Sequence, residues 1–281
     1  VAGSVSSAPV RAAATADLLA SQRQAYILDR VRADGQVRVA DLASELGVSD
    51  MTIRRDLQSL HARSLLQKVH GGATAVPDSA LFEPGFPAKS VLQEQEKEAI
   101  AAAAAALVRP GTAIGISAGT TTYAFARQLT DVPDLTIVTV SVPVAEVLYR
   151  ASRPDQTIIL TGGVRTPSDA LVGPFAVAAL RTVHLDQVFL GVHGMDPHSG
   201  FTTPNVLEAE TDRALVDAAR RLVVLADHTK WGVIGISTIA RLDQADTVVT
   251  DRGLSGEARE QLSSRVGELI VADDDTEAAA N

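Results

Sequence analysis

Apolar residues recur with two different periods along this chain, and the change of period divides it. Over residues 21 to 34, Tyr26, Ile27, Leu28 and Val31 share one face of a helix that Gly35 would stop. Val37 and Val39 then alternate with Gln36 and Arg38, as in a short strand. Leu42, Ala43 and Leu46 predict a second, short helix, followed by Gly47 in a tight turn and Val48 plugging the gap between helices. Ser49 stands where an N-cap belongs, and Ile53, Leu57 and Leu60 follow at the three- and four-residue spacing of a third helix. Leu65, Leu66 and Val69 alternate loosely up to Gly71-Gly72, where a hairpin is expected.

Beyond this point the pattern coarsens. The stretch 75 to 90 holds three prolines and a glycine and reads as a linker. An Ala-rich helix starts near Val91 and stops around Arg109-Pro110-Gly111. Short, uniformly apolar runs follow at 112–117, 135–140, 156–161, 185–191, 221–226, 246–251 and 268–272, with helical patterns at 121–130, 142–151, 206–220 and 255–265. Strands apolar on both faces need cover on both, which predicts an α/β domain built on a mainly parallel sheet. The expected organisation is a flexible leader at 1–18, a small domain at 19–74, a linker at 75–90, a large domain at 91–272 and a disordered tail at 273–281.

The small domain carries a specific chemistry. Two short helices joined by the Gly47 turn form a helix-turn-helix, with the hairpin as a wing, and the second helix is the one that enters a major groove. Thr52, Arg54, Arg55 and Gln58 lie off its apolar stripe. Arginine supplies paired donors to guanine O6 and N7, and Thr and Gln reach base edges or phosphate. Ser49, Thr52, Arg54, Arg55 and Gln58 are therefore candidate DNA contacts, joined by Lys68 and His70 on the wing. Which arginine reads a base stays open. Asp56 either orients an arginine or faces the domain body. Two adjacent arginines on any exposed helix would simply be solvated; their place inside this motif gives them meaning.

Charge first speaks against DNA, since the whole chain carries a formal charge of −9. Divided, it does not: residues 1–74 hold nine Lys/Arg against seven Asp/Glu, and residues 75–281 hold sixteen against twenty-seven. The acidity belongs to the large domain, and the case for a polyanion partner rests on where the arginines fall. There is no cysteine, and the six histidines show no metal-ligand spacing, so neither a metal nor a cofactor is expected. No run approaches the length of a membrane span and the start lacks a secretory pattern, so a cytoplasmic protein away from the membrane is expected.

In a parallel sheet ligands sit at the carboxyl ends of the strands. The first strand runs into Ser117, Gly119, Thr120 and Thr121 and then a helix, an arrangement of hydroxyls, backbone N–H groups and positive helix dipole suited to an anion. The third ends in Gly162-Gly163 with Arg165 two residues on, a fork for phosphate or carboxylate. His193, Asp196 and His198 occupy another such loop. Glu208 opens a helix, and Lys230, one of four lysines in the chain, follows Asp227 and His228. Clusters of Ser, Thr and Gly more often cap helices than bind ligands, and Lys230 could equally serve a surface salt bridge.

Residues 21–74 closely resemble the DNA-binding domain of the DeoR family of bacterial transcriptional regulators, through Ser49, Thr52-Ile53-Arg54-Arg55-Asp56-Leu57 and His70-Gly71-Gly72-Ala73. The large domain resembles the family's effector domain through Lys97, Gly119-Thr120-Thr121, Thr139, Ser141, Gly162-Gly163, Gly173, Gly191, Gly194, Asp196, Gly200, Glu208, Asp227 and Lys230. The resemblance spans about residues 21–252. It implies a winged helix-turn-helix plus a Rossmann-like α/β sensor domain of the kind shared with ribose-5-phosphate isomerase. It also implies binding to double-stranded operator DNA by a homo-oligomer, usually as a repressor, controlled by a small phosphorylated metabolite. The chain departs from the family pattern where Ser117 replaces Asp, Val140 replaces Asn and Asp212 replaces Lys. An isomerase is the alternative, but of the acidic run such enzymes carry only Asp196 survives, within His193-Gly-Met-Asp-Pro197. A DNA organiser whose large domain only oligomerises would have no need of the two glycine-bearing loops.

Overall fold

A computed structural model describes residues 20–63, 65–74, 85–151 and 153–273. The expected leader, residues 75–84 of the expected linker and most of the expected tail lie outside them. Contacts divide the chain into two units, residues 1–78 and 79–281.

In the first unit three helices, Ala20–Asp34, Val39–Leu46 and Asp50–Ala62, enclose Ile27, Leu42, Leu46, Ile53, Leu57 and Leu60, all essentially without exposure. Burying side chains of this size stabilises the unit by roughly 1.5–3 kcal/mol apiece. The middle helix ends at Gly47, whose N–H returns to the Ala43 carbonyl. A three-stranded antiparallel sheet closes the unit in the order Gln36–Arg38, Gly72–Thr74, Gln67–Val69. Gly72 is required at this crossing, because a Cβ there would lie 2.0 Å from the Val37 carbonyl oxygen. The strand expected through Val39 stops at Arg38. Val39 is buried, its N–H bonds the Gly71 carbonyl, and it starts the next helix instead.

The second unit is built on a seven-stranded sheet, parallel throughout. Its order across is Glu268–Ala272, Thr247–Asp251, Leu222–Leu225, Gln187–Gly191, Ala113–Ile116, Thr136–Thr139, Thr157–Leu160. Neighbouring residues on one strand enter different cores: Val188, Leu190, Val224 and Val248 pack on one face, Phe189, Val223, Leu225 and Val249 on the other. Both faces are thus apolar, which is why the strands read as unbroken hydrophobic runs. Helices Glu94–Ala105 and Thr120–Gln128 fill the second face, where Phe125 meets Phe189 at 4.2 Å between ring centroids.

The pattern did not foretell helix Pro174–Leu180, the hairpin Val164–Arg165 with Leu171–Val172, or the small sheet Gly194–Asp196, Gly200–Thr203, Ser237–Ala240. The end of the expected linker is ordered too. Phe86–Lys89 makes a helical turn, the Phe86 N–H bonds the Pro167 carbonyl at 3.0 Å, and the Phe86 ring stands edge-on to Tyr123.

Candidate functional site

Helix Asp50–Ala62 is two-sided. Ile53, Leu57 and Leu60 are buried, while Arg54, Arg55 and Gln58 are exposed. Ser49 caps it, its Oγ accepting from the Thr52 N–H at 3.2 Å, and the two hydroxyls lie 3.0 Å apart. Asp56 is the polar residue on the buried side: its carboxylate pairs with Arg23 at 2.6 Å and accepts from the Gln24 amide at 3.1 Å. Of the two alternatives the sequence left for Asp56, it faces the domain body. Arg23 and Gln24, which no sequence pattern singled out, thereby tie the first helix to the third. Among the described residues neither the Arg54 nor the Arg55 side chain has a hydrogen bond or ion pair, so both guanidinium groups are available to a partner. On the wing Lys68 donates to the Gln58 side-chain oxygen at 2.8 Å, while His70 stands exposed at the hairpin turn.

In the large unit the strand order reverses between Ala113–Ile116 and Gln187–Gly191, whose neighbours continue outward in opposite directions. Such a reversal opens a crevice at the carboxyl ends, where connections leave to opposite faces. Ser117 to Thr121 lie at one lip of it. Ser117 is fully buried and its Oγ accepts from the Gly191 N–H across the gap at 2.9 Å. Thr120 and Thr121 begin helix Thr120–Gln128, whose first-turn N–H groups have no partner within the helix. Asp227 and Lys230 lie one strand further along.

Lys97 joins this place from helix Glu94–Ala105. The family pattern includes it, but residue chemistry alone did not mark it, since nothing about a lysine amid alanines announces burial. It is 5% exposed, and its ammonium donates to the carbonyls of Leu92 and Lys89, the latter at 2.7 Å. Burial pushes its pKa down to about 8, against the pull of Asp227. Asp227 is wholly buried; burial pushes its carboxyl up, but Lys230, the Thr229 hydroxyl and Lys97 together hold it below the ordinary carboxylate range. Its Oδ1 accepts from the Thr229 N–H at 3.0 Å, and Oδ2 faces Lys230 at 3.7 Å with no hydrogen bond of its own. The Thr161 hydroxyl, at the end of strand Thr157–Leu160, is likewise buried without a partner in the protein.

Other expected ligand groups have structural tasks. Glu208 is buried, and one carboxylate oxygen accepts from the Ser168 hydroxyl and, at 2.5 Å, from that of Thr166. Its other oxygen lies 3.5 Å from the Thr203 hydroxyl. Asp196 accepts from the His198 and Ser199 N–H groups at 2.9 and 2.8 Å and holds a turn, and these bonds outweigh burial to lower its pKa. A carboxylate held in this way is a weaker base than the isomerase alternative needs in the His193–Pro197 stretch. Arg165 is exposed and paired with Asp169 at 2.8 Å. Gly163 is needed for packing, since a Cβ would come 2.5 Å from the Val172 carbonyl oxygen, whereas a Cβ at Gly162 would meet nothing within 4 Å. Val140 lies in the apolar core, and His228 bonds Asp251 through Nδ1 at 2.8 Å. Among the described residues no cluster of His, Asp and Glu could hold a metal ion, and no helix is long and apolar enough to cross a membrane.

Residues 23–78 match the DeoR-like helix-turn-helix domain and residues 92–252 the DeoR C terminal sensor domain. The chain is 35% identical over 252 residues to the uncharacterized HTH-type transcriptional regulator YgbI of Escherichia coli, covering 89% of this chain and 97% of that protein. It is 32% identical over 232 residues to the glycerol-3-phosphate regulon repressor of the same species, covering 82% and 90%. Ribose 5-phosphate isomerase A from Neisseria gonorrhoeae is 16% identical with a TM-score of 0.37, over 51% of this chain and 54% of that one. The chain therefore belongs to the DeoR family and is a DNA-binding transcriptional regulator.

Proposed function

We propose that this regulator is a repressor whose hold on operator DNA is set by a small phosphorylated metabolite of the sugar class, bound in the crevice at the carboxyl ends of the sheet. One observation carries the reading: the buried Lys97 and Asp227 with the half-buried Lys230, one strand along from the open first turn of helix Thr120–Gln128. Two ammonium groups, one buried and one half-buried, act on a single buried carboxylate there, which leaves a surplus positive charge. Helix N–H groups and that charge together suit a dianion. The name of the E. coli relative, a glycerol-3-phosphate regulon repressor, supports the same ligand class. The buried Val140 and Ser117, in place of more polar family residues, leave the crevice fewer handles for the rest of the ligand.

Binding must distinguish two states of the protein to change DNA affinity. Lys97 supplies a route. Its ammonium holds the carbonyls of Lys89 and Leu92, in the stretch by which the chain enters the large unit. A phosphate that takes the same ammonium competes with those carbonyls, and so loosens the ordered turn Phe86–Lys89 that precedes the sheet. The protein acts in the cytoplasm as a homo-oligomer, its recognition helices set about 34 Å apart or multiples of that in successive major grooves.

The test is binding of the full chain to DNA from upstream of its own gene, at fixed salt, with and without a panel of phosphorylated sugars. One compound should change affinity tenfold or more, on the order of 1–3 kcal/mol of coupling. Thr120→Ala combined with Lys230→Ala should retain DNA binding and lose the response. A double variant that responds like the wild type would place the ligand elsewhere.

A further inference from the structure

The wing lysine Lys68 and Gln58 of helix Asp50–Ala62 are joined side chain to side chain. Lys68 lies on strand Gln67–Val69, which leans on helix Asp50–Ala62: the Lys68 N–H reaches His61 Nδ1 at 3.4 Å and the Lys68 ammonium donates to Gln58 Oε1 at 2.8 Å. An ammonium has no acceptor, so the Gln58 amide must turn its oxygen toward it, and this bond fixes which end of the amide is which. A glutamine reads adenine by accepting from N6 while donating to N7, with oxygen and NH2 side by side on the base edge. Lys68 takes one of the two lone pairs of the Gln58 oxygen and sets its ammonium beside it, so the edge that the pair presents carries two donors, that ammonium and the Gln58 NH2 group. Arg54 and Arg55, exposed on the same helix, carry donors only.

We infer that Lys68 sets the base preference of Gln58, making it a donor that selects guanine over adenine at its position in the operator. Guanine shows two acceptors, N7 and O6, to this pair of donors, whereas adenine offers N7 alone and sets its N6 donor against the second. The inference rests on helix Asp50–Ala62 lying in the major groove, and the experiment separates the two ideas.

Duplexes randomised over the operator would be selected for binding by the full-length wild type and by Arg54→Ala, Gln58→Ala, Lys68→Met and Lys68→Arg. Gln58→Ala should relax one base pair in each half-site. Lys68→Met frees the amide oxygen and should shift the adenine-to-guanine ratio at that same base pair toward adenine by about tenfold, within the range one such contact commands. Lys68→Arg keeps a donor on the amide oxygen and should keep guanine. If Lys68→Met lowers binding evenly over all sequences while that base pair keeps its wild-type preference, the inference is overturned and Lys68 is a phosphate contact. It is equally overturned if Gln58→Ala relaxes no position. Should Arg54→Ala still relax a position in those cases, the groove placement survives; if it does not, the placement fails as well.

Discussion

Lys97 shows how much one buried residue can decide. A lysine normally titrates near 10.4, and here burial brings the group to about 8. Between those values the unfolded chain holds the proton and the folded chain has released it, so stability rises with pH across that window. The penalty of burying the charge is fully present below pH 8 and fades above it. Thermal unfolding of wild type and Lys97→Met should therefore diverge between pH 8 and 10, the wild type gaining on the variant by up to ~1.4 kcal/mol per pH unit. A constant difference over that range would mean the ammonium is neither desolvated nor linked to folding. On the proposed reading the same titration bears on function, since the charge offered to a phosphate is partly lost above pH 8. None of this was legible from residue types: Lys97 sits between glutamates and alanines, and its burial comes from tertiary packing. Asp227, too, could be placed after a strand from sequence, but its complete burial could not.

Among the elements, those with strong local signals were legible and those held by distant contacts were not. The seven strands of the sheet each fall within an apolar run, because both faces of the central strands are covered, although Ile159 and Leu160 on the edge strand stand exposed. The recognition helix follows from its Ser49 cap and its spacing of Ile53, Leu57 and Leu60. The hairpin Val164–Arg165 with Leu171–Val172 escaped notice because its paired strands are only two residues each. What fixes it is Glu208, some forty positions later, through the hydroxyls of Thr166 and Ser168. Reading Glu208 as a ligand group missed this, because a carboxylate opening a helix looks the same in sequence whichever partner it has. Glu208→Ala should lower stability by about 2–4 kcal/mol, the cost of leaving buried hydroxyls unpaired and the hairpin unanchored. Unchanged melting together with a lost metabolite response would return Glu208 to the ligand.

At the scale of the whole molecule the two activities draw on different electrostatics. Residues 1–74 are close to charge balance and residues 75–281 strongly acidic, so neither unit attracts anions through its net charge. On the proposed reading DNA is held by a few exposed groups, Arg54, Arg55 and Lys68 among them, acting through water and counterions. Such contacts weaken steeply with salt as condensed cations return to the phosphates. The crevice is otherwise: Lys97 and Asp227 are buried, and charges out of water are screened far less. Raising salt from about 0.05 to 0.2 M should lower operator affinity by a factor on the order of 10³ if an oligomer makes about six phosphate contacts. Affinity for the phosphorylated sugar should change by less than about threefold over the same range. Labelled operator read by fluorescence anisotropy and the metabolite read by calorimetry give the two slopes on one preparation. Parallel slopes would mean that the metabolite binds an exposed surface as DNA does, and the buried crevice would lose its role. Divergent slopes would show a regulator whose sensing is insulated from ionic conditions that change its grip on DNA.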